Sequence, residues 1–552
     1  MMKLRFCTLA VILIFLACKK GGNEVPAEPS SFKQTAVTIN NQAAVAGNFN
    51  NIPASPVVRI TFSSDISNAN LANAISFTDV STASNVAFTA VVENGNTVVV
   101  QPTASLSGFK VYKVDVSTTL KSVTGGTLGT PVTVTFNTGF DSSNKFPVIS
   151  DEELLTTVQR QTFKYFYDFG HPVSGMARER NTSGNLVTSG GTGFGVMALI
   201  TGISRNFITR KEGLDRVNKI VAFLITAERF HGAYPHWMDG TTGKVIPFSA
   251  KDDGGDLVET SLLVQGLLSA RQYFNGTLAD ETTLRNNITK IYNDVEWDWY
   301  RKDGGSVLLW HWSPTYNWDM NLPVRGWHEA LITYVLAASS PTHPIPKSVY
   351  DNGWAQNGAI RNGSTYYGVQ LPLGEPNGGP LFLSHYSFLG INPIGLTDAY
   401  ANYETQTKAH TQINYNYCLV NPKNYYGYSE NCWGLTASDI QNGYSASSPT
   451  NDRGVIAPTA AISSIPYTPE NSLKALRFFY YKLGDKLFKE YGFIDAFSLQ
   501  DQWFATSTLA IDQGPIIIMI ENYRSKLLWN LFMSAPEVKA GMKNLGFNSP
   551  NL

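Results

Sequence analysis

The change of hydrophobic period near residue 141 constrains the fold more than any other feature of this sequence. Between about residues 31 and 140, short apolar runs such as VVRITFSS and NTVVVQP alternate or are rich in β-branched residues, as in strands. After residue 150, apolar residues recur instead at the 3.6-residue period of helices. With 552 residues, of which 43% are hydrophobic, the chain can bury two cores, and the two periods predict two domains.

The β-patterned segment, residues 31–140, predicts a small all-β sandwich. It resembles the immunoglobulin-like (Ig-like) domains that precede catalytic modules in secreted bacterial proteins. It has no cluster of acids that would indicate catalysis. The segment could bind glycans, but we favour a spacer, joined to the second domain by a linker at residues 141–150, DSSNKFPVIS.

The N-terminus has the pattern of an export signal. Lys3 and Arg5 precede an apolar run that is too short to span a bilayer as a mature helix. The run ends at FLAC, which resembles a bacterial lipoprotein signal with Cys18 as the lipidated residue. We therefore expect a signal peptide at residues 1–17 and a polar tether at residues 18–30. The expected location is the periplasm or outer membrane, as a lipid-anchored protein, with plain secretion as the alternative.

Residues 151–552 are predicted to be mainly helical. Apolar stripes at helical spacing recur in roughly ten to twelve segments, joined by long loops rich in Gly, Tyr, Trp and Asn. A toroid of paired helices, with its loops gathered round one mouth, would accommodate this helix count. The two cysteines of this domain, Cys418 and Cys432, could form a disulfide or remain as two buried thiols.

Charge and aromatic content indicate an uncharged ligand. Lys and Arg number 42 against 43 Asp and Glu, which gives no electrostatic reason to expect nucleic acid or an anionic membrane surface as a partner. Six of the eleven Trp lie between Trp297 and Trp327, and at least half of these are expected in the core. The loops alternate aromatic and hydrogen-bonding residues, which suits the faces and hydroxyls of a neutral sugar. Candidate sugar-binding residues in such loops are His236, Trp237, Trp312, Trp318, His385 and Trp433.

The segment KDDGGDLVETSLLVQGLL crowds four acids, Asp252, Asp253, Asp256 and Glu259, around a Gly-Gly pair at a predicted helix start. Such crowding costs stability unless a cap, a cation or a substrate uses the charges. Asp256 and Glu259 fit a capping box, which leaves Asp252 and Asp253 without a role. The spacing lacks the ligand alternation of an EF-hand loop. We therefore favour a catalytic site over a purely structural cap or a metal site.

Hydrolysis of a glycosidic bond needs a carboxylic acid to protonate the leaving oxygen and a carboxylate to activate water or attack carbon. Asp256 and Glu259, on adjacent turns, would have Cβ atoms only about 5–6 Å apart, whereas an inverting pair needs carboxyls about 6.5–9.5 Å apart. A second acid is therefore expected from another segment. GWHEALITYVLA offers Glu329, predicted on the first turn of a helix, with His328 either orienting a carboxylate or capping the helix.

Several long motifs are recognisable in order. TSGGTGFGVMAL, DDGGDLVETSLLVQGLL, RGWHEALITYVLA, LSHYSFLGINP, YYGYSENCWGLTASD, PTAAISSIPYTPE and IDQGPIIIMIENYRSKLLWNLFM closely resemble the bacterial glycoamylase-like domain of glycoside hydrolase family 144, the endo-β-1,2-glucanases. The resemblance covers about residue 149 to the C-terminus and implies an (α/α)6 toroid. It also implies endo-acting hydrolysis of β-1,2-glucan with inversion, the release of sophorose and short oligosaccharides, and neither cofactor nor metal.

The resemblance places the essential carboxylates at Asp252, Asp256, Glu259 and Glu329. Arg178 is a further candidate for sugar binding, and we expect a monomer. Exo action that releases sophorose, or another glucoamylase-like activity, is the alternative within hydrolysis. A polysaccharide lyase is disfavoured by the near-neutral charge. A non-catalytic glycan-binding lipoprotein would use the Trp-rich loops without needing the acids.

Overall fold

The structure, a computed structural model, describes residues 30–45 and 47–552. The predicted signal peptide, Cys18 and nearly all of the predicted tether lie outside the described residues. The described residues divide into two compact units, one ending at Gly139 and the other spanning Phe140–Leu552. No helix in the described part of the chain combines the length and the hydropathy needed to cross a bilayer.

The first unit is a sandwich of two sheets, as its alternating sequence predicts. Strand β3 shows the reason: in VRITF, the buried Val58, Ile60 and Phe62 alternate with partly exposed residues, so one face enters the core. The sheets have strand orders β1-β3-β7-β6 and β2-β9-β8-β4-β5, and only the β2–β9 pair among the described strands of this unit is parallel. The elements are β1 (Gln34–Ile39), β2 (Phe49–Ile52), β3 (Val58–Phe62), α1 (Leu71–Ala74), β4 (Ile75–Asp79), β5 (Ser84–Asn85), β6 (Phe88–Glu93), β7 (Thr97–Pro102), β8 (Val111–Val116) and β9 (Val132–Thr138).

The second unit is mainly helical, which confirms the second predicted period. Its helices are α2 (Asp151–Tyr167), α3 (Ser189–Ser204), α4 (Arg210–Thr226), α5 (Leu257–Tyr273), α6 (Ala279–Asn293), α7 (Leu331–Ser339), α8 (Lys347–Asn352), α9 (Tyr403–Val420), α10 (Pro458–Ile462), α11 (Pro469–Arg477), α12 (Gly484–Leu487), α13 (Ala510–Ser525), α14 (Leu527–Ser534) and α15 (Pro536–Leu545).

Short strands occupy the loops between these helices. They are β10 (Leu186–Thr188), β11 (Trp237–Asp239), β12 (Val245–Ile246), β13 (Gly255–Asp256), β14 (His311–Trp312), β15 (Thr365–Tyr366), β16 (Val369–Gln370), β17 (Ala437–Ile440), β18 (Gly443–Ala446), β19 (Phe488–Lys489), β20 (Gly492–Phe493), β21 (Phe497–Ser498) and β22 (Trp503–Phe504). Because each pairs with at least one other strand, the long loops have fixed backbones, which lets them position functional side chains.

Helices α3 and α5 form the centre of the second unit. Nearly every residue of both is buried, so neither has the polar face of a surface helix. Their backbones approach closely where glycines meet: a Cβ on Gly193 would overlap the carbonyl of Leu262, and one on Gly266 would overlap the carbonyl of Gly193. This crossing fixes the start of α3 beside the start of α5, and the acids lie there.

The segment between the two domains is ordered against the second unit. The backbone N–H of Lys145 donates to the carbonyl of Tyr481 at 2.6 Å. The ring of Phe146 lies 4.6 Å from that of Tyr480. Part of the segment predicted as a linker therefore belongs structurally to the helical unit. In the same unit, Cys418 and Cys432 are both buried free thiols.

Candidate active site

The Gly-Gly pair of the acidic segment allows a close approach of two loops. Strand β13 pairs with β14, so that Gly255 lies opposite Trp312 and Asp256 opposite His311. A Cβ on Gly255 would overlap the hydroxyl of Tyr300, and one on Gly254 would overlap the Trp312 carbonyl. Only glycine fits, and the pairing delivers His311 from the Trp-rich loop to the acids.

The predicted capping box is only half formed. Asp256 is the N-cap of α5, and its Oδ1 accepts the backbone N–H of Glu259 at 2.8 Å. The Glu259 side chain does not return to the N-cap, because the Asp256 N–H donates to the carbonyl of Tyr234. Glu259 points to the start of α3 and accepts the Gly190 N–H at 2.7 Å and the Thr188 hydroxyl at 3.3 Å. Its carboxylate thus lies at a helix N-terminus, which favours negative charge.

Acids and imidazoles alternate through the site. His311 Nε2 lies 3.2 Å from Asp252 Oδ2 and 3.5 Å from Asp256 Oδ2. His236 Nδ1 lies 3.2 Å from the same Asp256 oxygen, and its Nε2 lies 4.0 Å from Glu259 Oε1. The order is therefore Asp252, His311, Asp256, His236, Glu259. In addition, Trp310 Nε1 donates to Asp256 at 3.2 Å.

The alternation of acids and imidazoles determines which of these side chains are charged. Burial opposes the charged form of His236, but Glu259 and Asp256 raise its pKa to about 9. Burial likewise opposes a charged His311, but Asp252 and Asp256 raise its pKa to about 10. Both imidazoles are therefore cationic at neutral pH. Burial disfavours ionised Asp256, yet hydrogen bonds from the two histidines hold its pKa well below the ordinary value.

Exposure separates the carboxylates into two kinds. The side chains of Asp252 and Asp256 are only 3% and 0% exposed, whereas those of Glu259 and Glu329 are 12% and 17% exposed. Asp253 is held by the hydroxyl of Ser313. Glu259 and Glu329 can therefore meet a substrate, while the aspartates position the histidines and the loop.

The sequence predicted Glu329 on the first turn of a helix. In the structure Glu329 lies just before α7, which begins at Leu331. Its carbonyl accepts the hydroxyl of Ser387, which fixes the backbone. Burial raises the pKa of Glu329 to about 7, with further increases from the charges of Glu259 and Asp256.

His328, beside Glu329, acts as a local cap. Its Nδ1 accepts the Ala330 N–H at 3.1 Å and lies 3.8 Å from Glu329 Oε2. Burial lowers the pKa of His328 to about 4, so it is neutral at physiological pH. Glu329 therefore receives no cationic charge from its neighbour, unlike Glu259.

The predicted sugar-binding residues divide into those near the acids and those in the core. His236 belongs to the acid site, and Trp237 contacts the exposed Phe248, whose ring stacks on His236 at 4.3 Å. Trp312 and Trp318 are partly buried at the edge of the core, close to Trp299.

Three other predicted sugar-binding residues are placed elsewhere. Trp433 is fully buried and donates its indole N–H to the carbonyl of Asn471. His385 is buried beside Ser464, and burial lowers its pKa to about 3. Both side chains therefore lie in the core of this structure. Arg178 stacks on Phe169 and donates to its carbonyl, and its backbone bridges to Val187, the residue before Thr188.

A second group of acids was missed by the sequence analysis. Asp495 and Asp512 are buried together; burial raises the pKa of Asp495 to about 6, and burial and Asp495 raise that of Asp512 well above its ordinary value. Asp439 lies beside them, accepts from Arg180 at 3.2 Å, and lines a cavity of about 520 Å³ with that arginine.

The second acid group lies close to the first. Burial raises the pKa of Tyr386, and the charges of Asp512, Glu329 and Glu259 raise it further. The Tyr386 phenol therefore interacts electrostatically with acids of both groups. In the sequence, Asp439 and Asp512 occur in the motifs LTASD and IDQG, far apart and without another acid at close spacing. Only their place within recognised motifs could have identified them.

One trio could hold a cation on geometric grounds. Single ligand atoms of His236, Asp252 and Asp256 lie within 4.8 Å of one another. However, His236 Nδ1 and Asp256 Oδ2 are 3.2 Å apart, a hydrogen-bond distance at which a proton joins them. A protonated His236 therefore already occupies the Asp256 oxygen of this trio.

Comparison with known proteins identifies the families of both domains. A bacterial Ig-like domain family matches residues 18–138, and the Glycoamylase family matches residues 321–536. An exo β-1,2-glucooligosaccharide sophorohydrolase (non-reducing end) of Parabacteroides distasonis is 46% identical over 426 residues, which are 73% of this chain and 59% of that protein. The chain thus spans about three-fifths of that relative's length.

Two crystal structures extend the match. An endo-β-1,2-glucanase from Chitinophaga pinensis, solved with sophorotriose and glucose, is 53% identical with a TM-score of 0.72, covering 73% of this chain and all of that one. A β-1,2-glucanase from P. distasonis is 37% identical with a TM-score of 0.71, covering 94% of this chain and 73% of that one.

A helical domain that matches the Glycoamylase family and follows an Ig-like domain places the chain in the glycoamylase-like class. The relatives identify the family within this class. The chain belongs to glycoside hydrolase family 144.

Proposed function

We propose that the protein hydrolyses β-1,2-linked glucan. The observation that carries this proposal is a carboxyl group with a pKa of about 7, Glu329, close to a carboxylate, Glu259, that a cationic imidazole stabilises. Two partly exposed acids in opposite protonation states are what hydrolysis of a glycosidic bond requires. The relatives named for activity on β-1,2-glucans support the linkage.

Glu329 is the proposed general acid. It is the acid of this pair that has no cationic imidazole within 4.0 Å in the described residues, because His328 is neutral while His236 lies 4.0 Å from Glu259. With a pKa of about 7, Glu329 is protonated in about half of the molecules at neutral pH and can serve as an acid. During reaction Glu329 donates this proton to the glycosidic oxygen as the bond from that oxygen to the anomeric carbon breaks.

Glu259 is the proposed general base. Burial raises its pKa, but His236, the Gly190 N–H and the Thr188 hydroxyl favour its carboxylate form. It accepts a proton from the water that attacks the anomeric carbon from the opposite side, which inverts the configuration there. Asp252 and Asp256 act indirectly, by keeping His311 and His236 protonated and oriented.

We propose the (α/α)6 toroid for the helical unit. Helices α3, α5, α7 and α13 are buried almost all round, whereas α2, α4 and α6 each have one buried stripe. The first set packs as neighbours through the α3–α5 and α3–α13 contacts. An inner ring of buried helices inside an outer ring of amphipathic ones accounts for both patterns.

Endo action is the proposed mode, with exo release of sophorose as the alternative that the P. distasonis relative's name favours. Incubation with linear β-1,2-glucan and chromatography of the products tests both. A ladder of oligosaccharides supports endo action, and sophorose alone supports exo action. Unsaturated ends would indicate a lyase, and unchanged polymer would indicate a non-catalytic binder; either result would contradict the proposal.

We further propose export and anchoring through Cys18, with the Ig-like domain as a spacer and the enzyme acting as a monomer without a cofactor. The basic start, short apolar run and FLAC sequence support the anchor. Cys18→Ser should move the protein from the membrane fraction to the soluble fraction with its specific activity unchanged. Retention in the membrane fraction would contradict the anchor.

A further inference from the structure

A polar cavity of about 730 Å³ opens outside the acid site and is lined by none of its four carboxylates. Residues that follow α4 and α6 contribute most of its wall, together with the loop after α7. The polar lining residues that matter here are Arg229, His231, Asn293, Asp294, Glu296 and His343.

The polar side chains of this cavity contact one another. The two lining acids, Asp294 and Glu296, each lie within hydrogen-bond distance of a basic side chain. Paired groups still offer hydrogen bonds, and a neutral ligand rich in hydroxyls suits such a wall. The pairs are Arg229–Asp294 at 3.1 Å, His231–Glu296 at 3.0 Å and His343–Asp298 at 3.0 Å.

An exposed aromatic platform adjoins the cavity. Trp299 is 40% exposed although it is one of the largest side chains. Its ring is held parallel to that of His231, with centroids 3.8 Å apart and planes at 16°. Its backbone N–H donates to the carbonyl of Glu296, a lining residue. A fixed aromatic face beside a polar wall can stack on the C–H face of a sugar while the wall binds its hydroxyls.

One side chain connects this cavity to the acid site. The ring of Trp312 meets His231 edge-on with centroids 4.9 Å apart. The backbone of Trp312 pairs with Gly255, the residue before Asp256. Trp312 therefore joins the His231 side of the cavity to the segment that carries Asp256.

We infer that Trp299 and this cavity form a distal subsite for a glucosyl unit of the same chain that is cleaved at the acids. The inference rests on the proposed function. Short oligosaccharides fill only the subsites next to the acids, and a long chain also reaches Trp299. The subsite therefore contributes to the binding of long substrates and leaves the bond-breaking step unchanged.

The test compares Trp299→Ala with Trp299→Phe and with a control, Tyr523→Ala. Tyr523 is exposed to a similar degree, 39%, on α13. Steady-state kinetics use long linear β-1,2-glucan and the shortest sophoro-oligosaccharide that the wild type cleaves. We expect Trp299→Ala to raise KM for the long glucan about three- to tenfold with kcat unchanged. Trp299→Phe should restore most of the affinity, and Tyr523→Ala should behave as wild type.

A second variant tests the polar wall. Glu296→Gln keeps the shape but removes the carboxylate that His231 contacts, and it should raise KM for the long glucan in the same way. Melting temperatures confirm that each variant is folded. Equal KM values for wild type and Trp299→Ala on long glucan would overturn the inference, as would an equal rise on the short substrate. A wild type inactive on every β-1,2-glucan would overturn the proposed function instead.

Discussion

At the scale of single residues, the protonation of Glu329 governs the proposed reaction. Its pKa of about 7 means that the acid form is lost as the pH rises above neutrality. We expect kcat/KM to fall above about pH 7, and to fall at low pH as the Glu259 carboxylate takes up a proton. A pH–rate profile on soluble glucan measures both limbs.

Substitution of the same acid gives the second prediction. Glu329→Gln should lower kcat by about 10²–10⁴-fold, because the amide cannot donate the proton. Circular dichroism should show an unchanged fold, since the Glu329 carbonyl still accepts the Ser387 hydroxyl. Glu470→Gln, at an exposed acid on the first turn of α11, is the control and should retain activity. Normal turnover in Glu329→Gln would refute the assignment.

The contacts of His236 with Asp256 and Glu259 contribute to the stability of the folded protein. The folded pKa of His236, about 9, lies above the ordinary value, so its contribution is fully present below about pH 6.5 and is lost as the pH rises through 9. His236→Gln should therefore cost about 1–3 kcal/mol at pH 6 and progressively less towards pH 10. Urea unfolding of both proteins across this range measures the difference. A difference in unfolding free energy between wild type and His236→Gln that grows with pH would contradict the ion-pair explanation.

At the scale of elements, the crossing of α3 and α5 brings the site together. Gly190 shows how tight this is, since a Cβ there would overlap the Glu259 carboxylate. The glycines of the motif TSGGTGFGV therefore allow close contact between α3 and neighbouring parts of the fold, because a larger side chain would overlap them. Sequence periodicity predicts both helices, but it contains no information on which residues of one meet the other.

The crossing predicts a difference between two glycine substitutions. Gly266→Ala should destabilise the protein by about 1–3 kcal/mol, because the added methyl group meets the backbone of Gly193. Gly213→Ala, on α4, places its methyl against the flexible end of Ile203 and should cost less. Chemical denaturation measures the free energy of unfolding of both variants. Equal losses of stability would mean that α3 and α5 can move apart freely.

At the scale of the whole molecule, residues 140–150 decide where the enzyme can be truncated. A chain that begins at Phe140 keeps the contacts of Lys145 and Phe146 with the helical unit. It should fold alone and cleave soluble glucan with kcat/KM within about twofold of the mature protein, as expected of an independent domain. A folded but inactive product would mean that the Ig-like domain contributes to the site.

A chain that begins at Val148 provides the matched comparison. It loses the Lys145 hydrogen bond and the Phe146 ring packing, so it should unfold about 1–3 kcal/mol more easily. Its activity when folded should be unchanged. Identical stability of the two truncated chains would show that the ordered segment contributes nothing.

Periodicity and local spacing predict the two classes of domain and most of the acid site. Hydrophobic period separates strand from helix locally, and the crowding of Asp252, Asp256 and Glu259 is visible because they are close in the chain. Glu329 was found from a second motif. Motifs also gave the family, which the relatives confirm.

The tertiary structure decided which side chains share an environment. His311 joins Asp252 and Asp256 through a strand pairing across more than fifty residues of chain, and Asp495 meets Asp512, which lies on helix α13, through tertiary packing. Tertiary packing also buries Trp433 in the core. It directs the Glu259 side chain to the Gly190 N–H instead of to the N-cap residue of its own helix. Contacts, burial and the resulting pKa values depend on distances in space, and these are set by how helices and loops pack rather than by local spacing.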